Sequence, residues 1–188
     1  GERAGDERWR DHREHQLEDH ERRGGYRRGE RDRLVADAPK VVWAIDFQFD
    51  STTDGKAIKI ASMVDEHTRE SLLHLVERSI TAERLVPELE KVFALAGGPP
   101  KVLRMDNGPE FSGRALDTWA YVRGVQLRFI RPGKPIENAF VESFNGKFRD
   151  ECLNEHWFAS VPEAQGLIEA WRIDYNTVRP HSALAGHT

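Results

Sequence analysis

Beyond residue 40 the chain alternates short apolar runs with turn-forming residues. Val41 to Phe47, Ile58 to Val64 and Leu72 to Val76 are three such runs, separated by Asp, Gly and Thr, and they predict an antiparallel meander of strands. The period then changes. Leu85, Val86, Leu89, Val92, Phe93 and Ala96 recur at helical spacing over residues 82 to 96, and Gly97, Gly98, Pro99 and Pro100 stop the helix. Lys101 to Met105 predicts a strand, Phe111 to Val122 a helix and Val125 to Ile130 a strand. Pro135 to Glu155 predicts a long helix, and Pro162 to Tyr175 another with Leu167, Ile168 and Trp171 inward. This order predicts one α/β core, a mixed sheet flanked by helices.

The first 33 residues have a different texture. They hold ten Arg and ten Asp plus Glu but only Ala4, Trp9, Leu17 and Tyr26 as hydrophobic residues, too few to build a core. The segment reads as a charged arm, helical or disordered, with DNA contact as the alternative. His12, His15 and His20 lie there without cysteine partners for a metal site.

Charge and cysteine content narrow the class. The 188 residues carry a formal charge of -4, which argues against a protein that coats nucleic acid by bulk electrostatics and leaves room for a local basic groove. With Cys152 as the single cysteine, neither an intrachain disulfide nor a paired-cysteine zinc site can form. No apolar run approaches the ~18 residues of a membrane span, and residues 1 to 3 begin no signal-peptide stretch. The expectation is a cytoplasmic protein without a membrane partner.

Three acids stand out by position. Asp46 sits near the end of an apolar strand, where an ionised group is costly unless paired or bound to a metal, and Asp106 follows another. Two acids ending separate core strands suit a divalent-cation site; each alone is equally a turn or helix cap. Glu142 lies in the predicted helix. At 100° per residue Phe140, Phe144 and Phe148 form an inward stripe there, while Asn138, Glu142, Asn145 and Arg149 form a second, outward one. A solvated helix face is the plainer account of that second stripe.

The spacing of these acids, 59 residues between the first pair and 35 between the second, resembles the Asp, Asp, 35, Glu pattern of retroviral-integrase-like transposases of bacterial insertion sequences. Local strings are similar too: Trp-Ala-Ile-Asp-Phe at 43 to 47, Asp-Asn-Gly-Pro-Glu-Phe at 106 to 111 and Pro-Gly-Lys-Pro at 132 to 135. Asn-Ala-Phe-Val-Glu-Ser-Phe-Asn-Gly at 138 to 146 and Tyr-Asn-Thr-Val-Arg-Pro-His-Ser at 175 to 182 complete the set, and the family's basic residue seven positions after the Glu falls on Arg149. Two departures are visible. Ala185, Gly186 and His187 stand where the family usually has Gly-Tyr after His-Ser-Ala-Leu, and residues 1 to 33 contain no recognisable helix-turn-helix. Recognition of element ends is therefore expected to lie outside this chain.

The resemblance implies a ribonuclease H-like fold with residues 34 to 188 as an integrase-type catalytic core, C-terminal helix and tail. It implies that Asp46, Asp106 and Glu142 hold two Mg²⁺, with Mn²⁺ as a substitute, for cleavage of DNA ends and transfer of the 3′-hydroxyl into target DNA. Ser143 has no nucleophilic role on this reading. Lys134, Asn138, Asn145, Lys147 and Arg149 are the expected DNA contacts, in a stretch that also holds Arg128 and Arg131 and is locally basic. Pro132, Gly133 and Pro135 suggest a loop beside the metals, and Glu110 supports a helix start rather than a metal. Self-association on DNA is likewise implied. The alternatives are a nuclease of the same fold that does not join strands, and a non-catalytic DNA-binding or assembly remnant.

Overall fold

The computed structural model describes residues 35–106, 114–130 and 139–178. The N-terminal arm therefore lies outside the described residues, as do Asn107 to Glu110, Arg131, Pro132, Gly133, Lys134, Pro135, Asn138, Arg179, Pro180 and His181.

The predicted meander is present. Strands β1 (Val42–Ser51), β2 (Ala57–Asp65) and β3 (Ser71–Glu77) pair antiparallel in sequence, while β4 (Val102–Met105) and β5 (Gln126–Phe129) add parallel to the free side of β1. The resulting five-stranded order is β3-β2-β1-β4-β5. β1 is central and covered on both faces, which is why Val42 to Ile45 are all apolar and fully buried rather than alternating.

Helices occupy both faces. Helix α1 (Ala82–Ala96) starts on Thr81, whose side chain accepts from the Arg84 amide, and ends at Gly97. Gly97 has φ 70°, and the Gly98 amide returns to the Phe93 carbonyl at 2.8 Å, so the predicted glycine stop works as a left-handed cap. With α2 (Arg114–Arg123), α1 covers a core of Trp43, Ile45, Met63, Leu89, Phe93, Leu103, Met105 and Trp119. Helices α3 (Ala139–Phe148) and α4 (Val161–Val178) cover the other face, with Ala44, Ile58, Ile60, Val64, Phe144, Phe148 and Ile168. Odd residues of β1 thus face α1 and α2, and even residues face α3 and α4, as the pleat requires.

The predicted long helix is not uniform. After Phe148 it widens into a π-helical segment, Arg149–Leu153, that closes when the Asn154 amide reaches the Arg149 carbonyl at 2.8 Å. Upstream, the Arg69 guanidinium lies 3.7 Å from the Phe140 ring centroid and ties the β2–β3 turn to the first turn of α3. Below α3, His74 on β3 is half-buried, packed against Phe144, Phe148 and Trp171, and bonds the hydroxyls of Ser62 and Ser71. Burial lowers its pKa from 6.5 to about 3, so the ring is neutral and acts as a packing element.

Candidate active site

Pairing register brings the two aspartates together. Ala44 and Arg104 are partners in the parallel β1–β4 ladder, and Asp46 and Asp106 each lie two residues further along their strands. Parallel strands advance in the same direction, so both carboxylates emerge on the α3 side just past the last ladder pair. Asp46 itself is mid-strand rather than near a strand end. β1 continues to Ser51 because Phe47 to Ser51 keep their antiparallel pairing with β2 after the β4 ladder has stopped. What ends at Asp46 is the parallel edge.

Helix α3 supplies the third acid. Glu142 is exposed near its start, while Val141, Phe144 and Phe148 point into the core and Phe140 is half-buried. The Asp46 carboxyl is pushed above the ordinary aspartate range, first by burial and then by the charges of Asp106 and Glu142; the Phe47 amide and Asn145 oppose the shift. Asp46 therefore senses both other acids. Oxygen donors of this kind suit a hard divalent cation, and a cation would relieve the like-charge repulsion that Asp46 feels. Among the described residues, however, no three acidic, His or Cys side chains are drawn close enough to hold a metal ion.

Asn145 departs from the sequence expectation. It is 4% exposed, not on an outward face, and its Nδ2 donates to Asp46 Oδ2 at 2.9 Å. Its backbone carbonyl accepts from Gln48 Nε2 at 2.8 Å. A helical wheel drawn from the phenylalanine stripe places Asn145 outward; the polar patch that Asp46 and Gln48 create on the sheet lets the helix bury an amide there. Gln48 was missed by sequence reasoning, although an amide two residues beyond Asp46 on the same strand face was a usable signal.

The basic residues divide. Lys147 is exposed on α3. Arg149 is half-buried and turned back onto β1, its Nη2 donating to the Phe49 carbonyl at 2.7 Å and its Nη1 lying 3.7 Å from Asp50. Arg128 is half-buried on β5, paired in register with Arg104. Ser143 is exposed, and Cys152 is buried with its thiol raised to about 11, so neither has the surroundings of an activated nucleophile.

Comparison with known proteins bears on the family and the fold. The chain is 49% identical over 156 residues to the insertion element IS407 protein of Burkholderia multivorans, covering 82% of this chain and 56% of that one. It is 46% identical to the insertion element IS476 protein of Xanthomonas euvesicatoria, over 82% of this chain and 45% of that one. The chain thus spans about half the length of the curated relatives it matches. Among solved structures, the HTLV-2 integrase catalytic core domain in complex with magnesium superposes with a TM-score of 0.62 at 16% identity, over 80% of this chain and 93% of that one. That likeness shows the fold, which is ribonuclease H-like as the resemblance implied. Two family models, each described as an integrase core domain, match residues 36–135 and 123–188, and the chain belongs to the integrase core domain family.

Proposed function

We propose that this chain is the catalytic core of an insertion-element transposase, acting in the cytoplasm on DNA as a homo-oligomer. The observation that supports the reading is that strand register sets Asp46 level with Asp106, while the charges of Asp106 and of Glu142 on α3 both reach the half-buried Asp46 carboxyl. Asp46, Asp106 and Glu142 are the residues that would together hold two Mg²⁺. Bound there, the cations would supply activation of a water or a DNA 3′-hydroxyl and stabilisation of the leaving oxygen. The chain's own part is to aim three carboxylates at one edge of the sheet, from rigid elements, and to bind phosphates. Lys147, Arg149, Lys134 and Asn138 remain the proposed DNA contacts. Phosphate contacts carry no base information, so binding is expected to be salt-sensitive and weakly sequence-selective.

A labelled oligonucleotide with a free 3′-hydroxyl, incubated with a supercoiled plasmid and Mn²⁺ or Mg²⁺, tests the reading. Covalent attachment of label to plasmid, lost in Asp46→Asn and Asp106→Asn, is the expected result. Nicking without attachment points to the nuclease alternative. Neither reaction, from a folded chain that binds DNA, points to a non-catalytic module, a reading favoured by the acids not being gathered to ligating distance.

A further inference from the structure

The polar layer between β1 and α3 contains two side-chain amides whose oxygens have no partner. Gln48 Nε2 donates to the Asn145 carbonyl, and Asn145 Nδ2 donates to Asp46 Oδ2. Both acceptors are oxygens that only an NH₂ group can serve, so these bonds fix which way each amide points. Gln48 Oε1 and Asn145 Oδ1 are then turned away from those acceptors, and among the described residues they are the only buried side-chain polar atoms without a hydrogen bond. Buried polar groups are ordinarily paired, so two exceptions side by side next to the candidate catalytic acid call for a reason. Apolar side chains in the same places would pack without that penalty.

The connectivity supplies the reason. Asp46 and Gln48 are two residues apart on one strand and share its face. Together they grip one helical residue, Asn145, by its backbone and by its side chain. The bond to Oδ2 arrests rotation of the Asp46 carboxylate, while the bond from Gln48 fixes the helix turn that delivers the Asn145 amide. That grip falls one turn before the helix opens into its π-helical segment at Arg149.

We propose that Gln48 and Asn145 are positioning residues, a two-amide clamp that holds the Asp46 carboxylate in its cation-binding orientation. The inference rests on the metal-dependent reading of the three acids. Partners of this kind, which touch a ligand rather than the metal, typically account for about tenfold to a hundredfold in metal affinity.

The test is Mn²⁺ titration of the complete chain, followed by electron paramagnetic resonance, beside urea unfolding of the same samples. Four proteins are compared: the parent, Gln48→Met, Asn145→Ala and the double variant. The expected result is Mn²⁺ affinity reduced about tenfold or more in each single variant, with the double variant no weaker than Asn145→Ala, because the two amides act through one carboxylate. Parental Mn²⁺ affinity in both single variants overturns the clamp, as does a fully additive double variant. If Asn145→Ala does not unfold cooperatively, Gln48→Met alone decides, since it keeps the length and apolar stem of the side chain. Weaker Mn²⁺ binding by folded Gln48→Met upholds the clamp, and parental binding overturns it. A parent chain that binds no Mn²⁺ at millimolar metal overturns the metal-dependent reading itself and this inference with it.

Discussion

Trp43 Nε1 donates to Asp65 Oδ2 at 2.9 Å across the β1–β2 ladder, in which the two residues are direct partners. The same carboxylate accepts the Lys40, His67 and Thr68 amides at 2.8 to 3.1 Å, and Asp65 is 3% exposed. Asp65 is thus a structural acid, saturated by donors, on the same sheet as the acids proposed for catalysis. Asp65→Ala removes four hydrogen bonds and strands a buried indole N–H. A loss of about 2–4 kcal/mol is expected from urea unfolding. A loss below ~1 kcal/mol would show that the turn closes without it.

His74 is expected to steepen the acid limb of stability. The unfolded chain takes up the imidazole proton near 6.5, whereas the folded protein resists until about 3, because burial disfavours the charged ring. Between those values the unfolded state binds more protons, so stability is full above the upper value and falls as pH drops toward the lower one. The contribution to the slope approaches about 1.4 kcal/mol per pH unit. His74→Asn should flatten this limb in a series of unfolding curves from pH 7 to 4; equal slopes in variant and parent would exclude His74 as its source.

Relief of repulsion at Asp46 separates stability from activity. Asp106→Asn removes one of the two charges that raise the Asp46 carboxyl, so the metal-free protein should gain on the order of 0.5 kcal/mol at neutral pH. The same variant should lose strand transfer and Mn²⁺ binding. Lower stability in the variant would mean that the Asp106 carboxylate is itself a structural acceptor.

Lys147 and Arg149 should behave differently on DNA. Lys147→Ala is expected to leave the unfolding midpoint unchanged and lower the slope of log K against log salt by about 0.9, the value for one lost phosphate contact. Arg149 is bonded to the Phe49 carbonyl at 2.7 Å, so Arg149→Ala should lower stability as well. Titration of a fluorescent duplex at several salt concentrations, with unfolding in parallel, distinguishes the two. An unchanged slope for Lys147→Ala would remove it from the DNA surface.

Much of the fold was legible in local pattern. The apolar run at Val42 to Ile45 marked a strand, and the spacing of Leu85, Leu89 and Phe93 followed by Gly97 marked a helix with a glycine stop. The family was legible because the spacing of the three acids and their neighbouring strings match a known pattern. The π-helical segment that begins at Arg149 was not, because helical periodicity does not distinguish it from α-helix; there the Arg149 guanidinium reaches 100 residues back to the Phe49 carbonyl.

Periodicity is a short-range property, and for that reason the sequence alone determined which residues share a face: Asp46 with Gln48 on the strand, Phe144 with Phe148 on the helix. It could not say which faces meet. Only the tertiary structure decided that Asp46 and Asp106 stand at the same step of adjacent parallel strands, and that Asn145 lies buried against Asp46 across 99 residues of chain. Those relations come from strand register and from how deeply a helix settles on a polar patch, and both are energies of the whole packed core.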